Sequence, residues 1–549
     1  MSALEQGSST VKGARSVIGR FTYRRVLRGA LILGLFAGLE NVLQGFGIAA
    51  AYPSLAQRER IVHDLASNPA LGVLYGDAHS NIASTAGYMV YRTSALLAVV
   101  AGVWGLLTAT RMLRGQEEDG RWEVLLTGAT TARRATRDTL LGIGLAIGAA
   151  YLVAVAIIAT AGASNKIGIS LTASLFYGLA LLISAVLFAT IGALTSQLAA
   201  TRRRAVLYGL LPLVGLYVLR AIGNVARGLA WLKDVTPFGW VDRLHPLVDP
   251  RPIWLVPLVL ATAFCMVVAL YVAGRRDLGE SLVADTATAR PRYRLLRSPL
   301  GVSFRMGRGT LFGWLLGSVA MSAIIAGVAK TAAQSLADSS SLSGAVTKLS
   351  GGTTASLATA FLSIGGYFTA TILMVMVITG FGAVREEEGR GRLDNFLVGT
   401  VSRSRWLAGR LVLLAAAAVA ICLLSSLSVW AVAAAQGVSV DEAKLVIGGL
   451  NVLGPVILLL GAGTLLYGLR PRWVTPVLYV WLAWSFTADI VASVMKLSKA
   501  ALNTSLLHQI ALTPAAEPKW STVALLTVSG VVLAAIGAVA FQRRDLVVE

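Results

Sequence analysis

The sequence predicts an all-α polytopic membrane protein, with twelve transmembrane helices arranged as two parallel six-helix repeats. Three observations predict this fold class. The chain of 549 residues is 56% hydrophobic and only 14% charged, it contains repeated apolar runs of about 20 residues, and its charged loop motifs recur in the same order in the second half. Because each run is long enough to cross about 30 Å of hydrocarbon as a helix, a soluble globular fold is not expected.

The expected spans are the segments that stay apolar over about 19 residues. They lie near 30–51, 86–112, 138–162, 171–199, 205–226, 252–273, 311–330, 357–384, 407–434, 444–468, 473–495 and 521–541. Twelve spans place both termini on one side, and the loops of that side hold 33 of the 48 Lys and Arg residues. By the positive-inside rule we expect both termini to be cytoplasmic, so the net charge of +21 follows the topology and indicates no nucleic-acid partner.

The loop motifs reveal two copies of one unit. An offset of 271 residues aligns Arg114 with Arg385, Glu117 with Glu388, Gly120 with Gly391, Arg121 with Arg392, Glu123 with Asp394, Leu126 with Leu397, Gly128 with Gly399 and Arg134 with Arg405. Arg275-Arg276-Asp277-Leu278 returns as Arg543-Arg544-Asp545-Leu546, and Arg25-x-x-Arg28-Gly29 returns as Arg305-x-x-Arg308-Gly309. We therefore predict two halves of equal orientation, residues 1–285 and 286–549, joined by a polar cytoplasmic linker at 277–300.

Each copy contains an acidic stretch in an otherwise apolar region, EEDGRWEVLL from Glu117 and EEEGRGRLDNFL from Glu386. The pattern predicts a short helix with its acids in the first turn and a glycine stop, Gly128 or Gly399. Apolar residues share one face of each helix, namely Trp122, Leu125 and Leu126 in the first and Leu393, Phe396 and Leu397 in the second. Thr131 and Ser402 then align as N-caps of the next spans. A plain solvated turn is the alternative, but it requires no such register at two places.

The two loops resemble the loop after the second span of type-two ATP-binding-cassette export permeases. The match is closest to the fused twelve-span permeases of the polyketide antibiotic and drug exporter branch, whose further marks are Thr236-Pro237-Phe238-Gly239-Trp240 and the terminal Arg-Arg-Asp-Leu. The loops depart from the family at Val401-Ser402 and at Ala129-Thr130-Thr131.

The resemblance implies that each loop is a coupling helix on the surface of a cytoplasmic ATPase. The coupling residues would be Glu117, Glu118, Arg121, Trp122, Glu123 and Gly128 in the first loop and Glu387, Glu388, Arg392, Asp394, Phe396 and Gly399 in the second. The partners would be two copies of a nucleotide-binding subunit, which bind ATP and Mg, and membrane lipid. The implied activity is export of hydrophobic antibiotics, drugs or lipids across a bacterial plasma membrane.

No enzymatic site is predicted within the chain. A P-loop needs Gly-Lys followed by Ser or Thr, and none of the nine lysines follows a glycine. We therefore expect no cofactor in this chain, and a transport subunit without its own nucleotide-binding site. The four histidines, in outer loops, lack metal-like spacing, so no metal site is expected.

Charged and aromatic residues within the spans are candidates for a substrate path. They are Glu40, Trp104, Tyr217, Arg220, Tyr367, Trp484, Phe486 and Asp489. Arg220 and Asp489 occupy equivalent places in the fifth and eleventh spans, which suggests an ion pair between the halves. The alternatives without a functional role are that Arg220 extends its side chain to the membrane interface, and that the aromatic residues only pack the core or form an interfacial belt.

A different function would be that of a proton-coupled secondary transporter, in which Glu40 or Asp489 carries the proton. A membrane-embedded enzyme is disfavoured.

Overall fold

The computed structural model describes residues 2–59, 75–76, 81–126, 130–225, 227–247, 249–277, 279–283, 295, 298–337, 357–389, 391–398, 401–438, 440–494 and 498–546. These residues form helices and loops and contain no β-strand. The chain divides into two compact units, Met1–Ala289 and Arg290–Glu549. This division lies four residues from the boundary expected between 285 and 286.

Eleven helices among the described residues are long and apolar enough to cross a membrane, which confirms the all-α polytopic fold class. They are Val17–Ala50, Thr85–Glu118, Ala132–Gly162, Leu171–Leu198, Arg202–Asn224, Pro252–Ala273, Pro299–Gly327, Gly365–Gly389, Arg403–Ala435, Glu442–Leu469 and Trp520–Arg543. The remaining expected span, near 473–495, corresponds to helix Pro471–Val494, which is not among the eleven. The protein is therefore a multi-pass membrane protein.

Within the described residues of the first unit, we number the α-helices α1 to α8. Their bounds are Ser2–Ala51, Thr85–Thr110, Arg121–Leu126, Ala132–Gly162, Leu171–Leu198, Arg202–Val225, Pro237–Asp242 and Leu255–Ala273. α2 continues as a π-helical turn, Arg111–Gly115, and a last α-turn, Gln116–Glu118. α1 packs along α4, and α5 packs between α2 and α8. The core of this bundle is apolar and consists mainly of Ala, Leu, Ile and Val.

Within the described residues of the second unit, we number the α-helices α9 to α17. Their bounds are Pro299–Ala337, Leu357–Gly389, Arg392–Leu397, Arg403–Ala435, Glu442–Gly449, Leu453–Leu469, Pro471–Val494, Lys499–Asn503 and Trp520–Arg543. α9 packs along α12 and α14 along α17, as their equivalents do in the first unit. A Cβ on Gly461 would clash with the carbonyl oxygen of Gly530, so the α14 and α17 backbones are in direct contact. Small residues allow such close approach between membrane helices.

Two of the expected local features are confirmed. Thr131 caps α4, with its hydroxyl accepting the N–H of Arg134 at 3.3 Å, and Ser402 caps α12, accepting the N–H of Arg405 at 3.4 Å. These caps satisfy backbone donors that a helix start leaves unpaired. The sequence therefore located correctly where the helices that continue into the third and ninth spans begin.

The expected start of the short helices is wrong. They begin at Arg121 and Arg392, not at the acidic residues, because Gly120 and Gly391 adopt left-handed backbone angles with φ of 71° and 66°. A left-handed residue ends a helix, and glycine adopts it without strain. Glu117 and Glu388 consequently lie in the last turn of the preceding long helix, where the helix dipole disfavours an anion. Each acid therefore needs a cation nearby.

Candidate functional site

The end of α2 is held to the rest of the first bundle by Glu117. Its Oε2 lies 2.7 Å from Arg276 Nη2 and its Oε1 lies 3.1 Å from Arg114 Nη1. Oε1 also accepts the backbone N–H of Gly279 at 2.9 Å. The Glu117 side chain is only 8% exposed. This carboxylate therefore joins the second span to the segment that follows the sixth.

The two arginines extend this network to the end of α5. Arg114 is buried and donates from Nη2 to the carbonyl of Ala200 at 2.6 Å. Arg276 donates from Nε to Gln197 Oε1 at 3.1 Å. The cytoplasm-facing ends expected for spans two, four and six are thus tied by charge-assisted hydrogen bonds, which are shorter and stronger than neutral ones.

The second unit has a similar arrangement around Glu388. Glu388, which is 4% exposed, receives Arg544 Nη2 at 2.7 Å on Oε1 and the hydroxyl of Tyr467 at 2.6 Å on Oε2. Tyr467 lies near the end of α14, the counterpart of α5, so it takes the place of Gln197. The Arg544 guanidinium also lies over the rings of Tyr467 and Phe541, with its carbon 5.4 Å and 5.6 Å from their centroids. Cation–π contacts of this kind add to the ion pair.

The short helices α3 and α11 carry a buried anchor and an exposed charged face. Trp122 packs with Ile18, Leu113 and Ala193, and Leu393 joins the core of the second unit. The charges of these helices, Arg121, Glu123, Arg392 and Asp394, are exposed. Leu126 and Leu397 pack against the same cores, so each helix is fixed to its own bundle by apolar side chains and presents its charges outward.

The other residues expected at the coupling loops fall into two groups. Glu118 is exposed and its Oε1 accepts the N–H of Arg202 at 2.7 Å, which joins α2 to the start of α6. Glu387 pairs with Arg410 of α12, with Oε2 2.7 Å from Nη2. Gly128, Gly399 and the side chain of Phe396 lie outside the described residues. Glu117 and Glu388, two of the residues expected at the coupling loops, are buried, and each closes an ion pair within its own bundle.

Arg220, an expected substrate-path residue, has a partner in its own unit. Its side chain is completely buried and Nε lies 2.5 Å from Asp242 Oδ2. Asp242 ends α7, the helix built by the Thr-Pro-Phe-Gly-Trp motif and capped by Thr236. This burial excludes the snorkelling alternative for Arg220, and Asp242 is the carboxylate that sequence reasoning missed. The side chain of Asp489 lies outside the described residues.

The remaining path candidates are distributed over several places. In the second unit, Tyr367 and Phe486 meet edge to face with ring centroids 5.8 Å apart, whereas the indole N–H of Trp484 donates to Thr504 Oγ1 at 2.8 Å. Tyr217 packs edge to face on Phe238, beside Arg220. Glu40 accepts the amide of Gln44 at 2.8 Å. Trp104 lies at the opposite end of the first bundle, beside Arg25 and Arg111.

The sequence contained a signal for the missed partners of the acids. Arg276 and Arg544 stand in the repeated Arg-Arg-Asp-Leu motif, and their equivalence indicated a shared role. Arg410 has no equivalent arginine, because position 139 of the first half is a threonine, so the repeat could not reveal it.

Comparison with known proteins identifies the family. The model of the family "Multidrug efflux system permease Rv1217c, C-terminal domain" matches residues 41–273 and 296–542, one segment in each half of the chain. The chain is also 29% identical over 518 residues to the multidrug efflux system permease protein Rv1217c of Mycobacterium tuberculosis (strain ATCC 25618 / H37Rv), covering 91% of this chain and 89% of that protein. These matches confirm the resemblance to permeases of ATP-binding-cassette drug exporters, and the chain belongs to this multidrug efflux permease family.

Proposed function

We propose that this chain is the membrane subunit of an ATP-driven exporter that moves hydrophobic antibiotics, drugs or lipids out of the cell. A separate ATPase, two copies of it, would bind ATP and Mg and dock on α3 and α11. Both termini and both short helices would then lie in the cytoplasm, as the distribution of arginines favours. The family membership and the export function named for its relative support this proposal.

One observation carries the docking part of the proposal. α3 and α11 stand at equivalent places, present exposed charges, and are each followed by a capped span and preceded by a buried Glu–Arg pair. A movement of the ATPase against such a helix would be transmitted to its bundle, because the ion pair and the apolar contacts hold the helix firmly to that bundle. Charged, exposed side chains also suit electrostatic recognition of a polar partner surface.

The test is copurification with the candidate ATPase, followed by transport in liposomes. We expect the complex to hydrolyse ATP, to be stimulated by a hydrophobic drug, and to accumulate that drug only when ATP is present. A matched control is the same complex with an ATPase that cannot hydrolyse ATP. Transport driven by a pH gradient without any ATPase would contradict the proposal and favour a secondary transporter.

A separate experiment tests the cytoplasmic placement of the carboxyl end. It measures whether a cysteine placed at residue 545 reacts with a reagent that cannot cross the membrane.

A further inference from the structure

A cavity of about 120 Å³ lies between α1 and the end of α2, next to the first short helix. Arg25, Gly29, Trp104, Thr108 and Arg111 line it. One water molecule needs about 10–15 Å³ of such space. The cavity therefore has room for a group of several heavy atoms.

The charge at this cavity is net positive, because Arg25, Arg111 and Arg121 lie near one carboxylate, Asp119, whose Oδ2 is 3.5 Å from Arg121 Nη1. Arg25 donates from Nη1 to Gln116 Oε1 at 3.3 Å, and Arg121 donates from Nη1 to the same oxygen at 3.0 Å. No carboxylate among the described residues comes within 4.0 Å of the guanidinium of Arg25 or of Arg111. Guanidinium groups held close together around a neutral amide oxygen favour binding of an anion.

Neutral donors complete the lining. The indole N–H of Trp104 has no hydrogen-bond acceptor among the described residues, and the hydroxyl of Thr108 lies one helical turn further along α2. Gly29 faces the indole, and a Cβ there would lie only 3.3 Å from Trp104 Nε1. The glycine thus leaves the indole N–H accessible from the cavity.

Arg25 and Gly29 recur in the second half as Arg305 and Gly309, but three other groups at the cavity are replaced there. With the offset of 271 residues, Trp104 corresponds to Val375, Arg111 to Gly382 and Gln116 to Glu387. Glu387 is a carboxylate and neutralises Arg410. The cluster is therefore a property of the first half alone and not a by-product of the repeated loop.

We propose that this cavity binds a phosphate group, carried by the headgroup of an anionic phospholipid. The surface beside it is suited to the acyl chains, because Ile32 of α1 is 67% exposed and Leu31 and Leu107 are also exposed. Arginines at the membrane surface attract anionic lipids by about 1 kcal/mol each, which corresponds to about a fivefold change in affinity. A lipid bound here would join α1 to α2 beside the proposed docking helix.

The experiment measures lipid binding to the purified, delipidated protein. Phosphatidylglycerol, phosphatidylcholine and inorganic phosphate are added separately, and both the unfolding temperature and the lipid retained per chain are recorded. The test variant is Arg25→Gln with Arg111→Gln, and Trp104→Phe removes the indole N–H together with the five-membered ring while keeping an aromatic side chain. Arg305→Gln, at the equivalent position of the second half, is the matched control.

We expect phosphatidylglycerol to raise the unfolding temperature of the parent and of Arg305→Gln. In the double variant we expect about one lipid fewer to be retained per chain. Its affinity for phosphatidylglycerol should fall about fivefold for each arginine removed. An equal response to inorganic phosphate would support the phosphate site but make its source a soluble anion. An unchanged response of both the double variant and Trp104→Phe, or an equal response to phosphatidylcholine, would overturn the proposal. These readouts need no ATPase, so they stand apart from the test of the proposed function.

Discussion

Glu388 and Arg544 form a buried ion pair, with Oε1 2.7 Å from Nη2. The equivalent residues Glu117 and Arg276 form the same kind of pair, with Oε2 also 2.7 Å from Nη2. Each pair connects the last turn of a span to the segment that ends its half of the chain. The acids stand at helix C-termini, where the dipole disfavours them. The pairs therefore explain why the Arg-Arg-Asp-Leu motif recurs together with the acidic motif.

Removing one member of the second pair is expected to destabilise the protein strongly. Glu388→Ala leaves Arg544 without its carboxylate and Tyr467 without an acceptor, and a broken buried pair typically costs about 3–5 kcal/mol. The unfolding temperature in detergent measures this loss. Asp394→Ala, at an exposed position nearby, is the control and should change it little. A Glu388→Ala protein as stable as the control would show that the pair contributes nothing.

Reversing the exposed charges of both short helices is expected to uncouple transport without unfolding the membrane bundles. Glu123→Lys combined with Asp394→Lys changes surface charges, which contribute little to stability. We expect a normal unfolding temperature but weaker copurification with the ATPase and loss of ATP-driven transport. Lys499→Glu, an exposed charge outside these helices, is the control. Normal transport by the double variant with its ATPase bound would contradict the docking assignment.

The partner of Arg220 can be tested by exchange. Asp242→Ala leaves a fully buried guanidinium without its carboxylate and should cost about 3–5 kcal/mol. Arg220→Asp with Asp242→Arg should recover part of that loss in unfolding temperature and in transport. The competing pairing predicts recovery with Arg220→Asp and Asp489→Arg instead. Rescue by that second exchange alone would reject Asp242 as the functional partner.

Replacing the glycine before either short helix is expected to destabilise the protein, because of its left-handed backbone conformation and not because of a steric clash. A Cβ at Gly120 meets no atom within 4 Å, so Gly120→Ala causes no clash, but its φ of 71° costs an L-residue about 1–2 kcal/mol. Gly391→Ala should behave alike. Gly144→Ala, in α4 with equally open space, is the control and should be neutral or stabilising. Equal unfolding temperatures of all three variants would argue against the strained turn.

The sequence by itself determined the fold class, the two halves, the expected spans and the family. These depend on apolar run length, on the side on which arginines accumulate, and on motifs that recur at a fixed offset, all of which are local or periodic along the chain. The caps Thr131 and Ser402 were correct for the same reason, since a cap contacts a backbone group only three residues away.

Only the tertiary structure decided what the acidic motif does. Glu117 and Arg276 are 159 residues apart, and whether an acid faces solvent or a buried arginine depends on how the ends of spans two, four and six meet. The same holds for Arg220 and Asp242, which are brought together by the turn of α7. Burial turns each of these charges from a weak surface group into one that needs a partner, because desolvation makes an unpaired ion costly. The recurrence of Arg-Arg-Asp-Leu indicated a shared role for Arg276 and Arg544, but no pattern along the chain shows which groups these arginines contact.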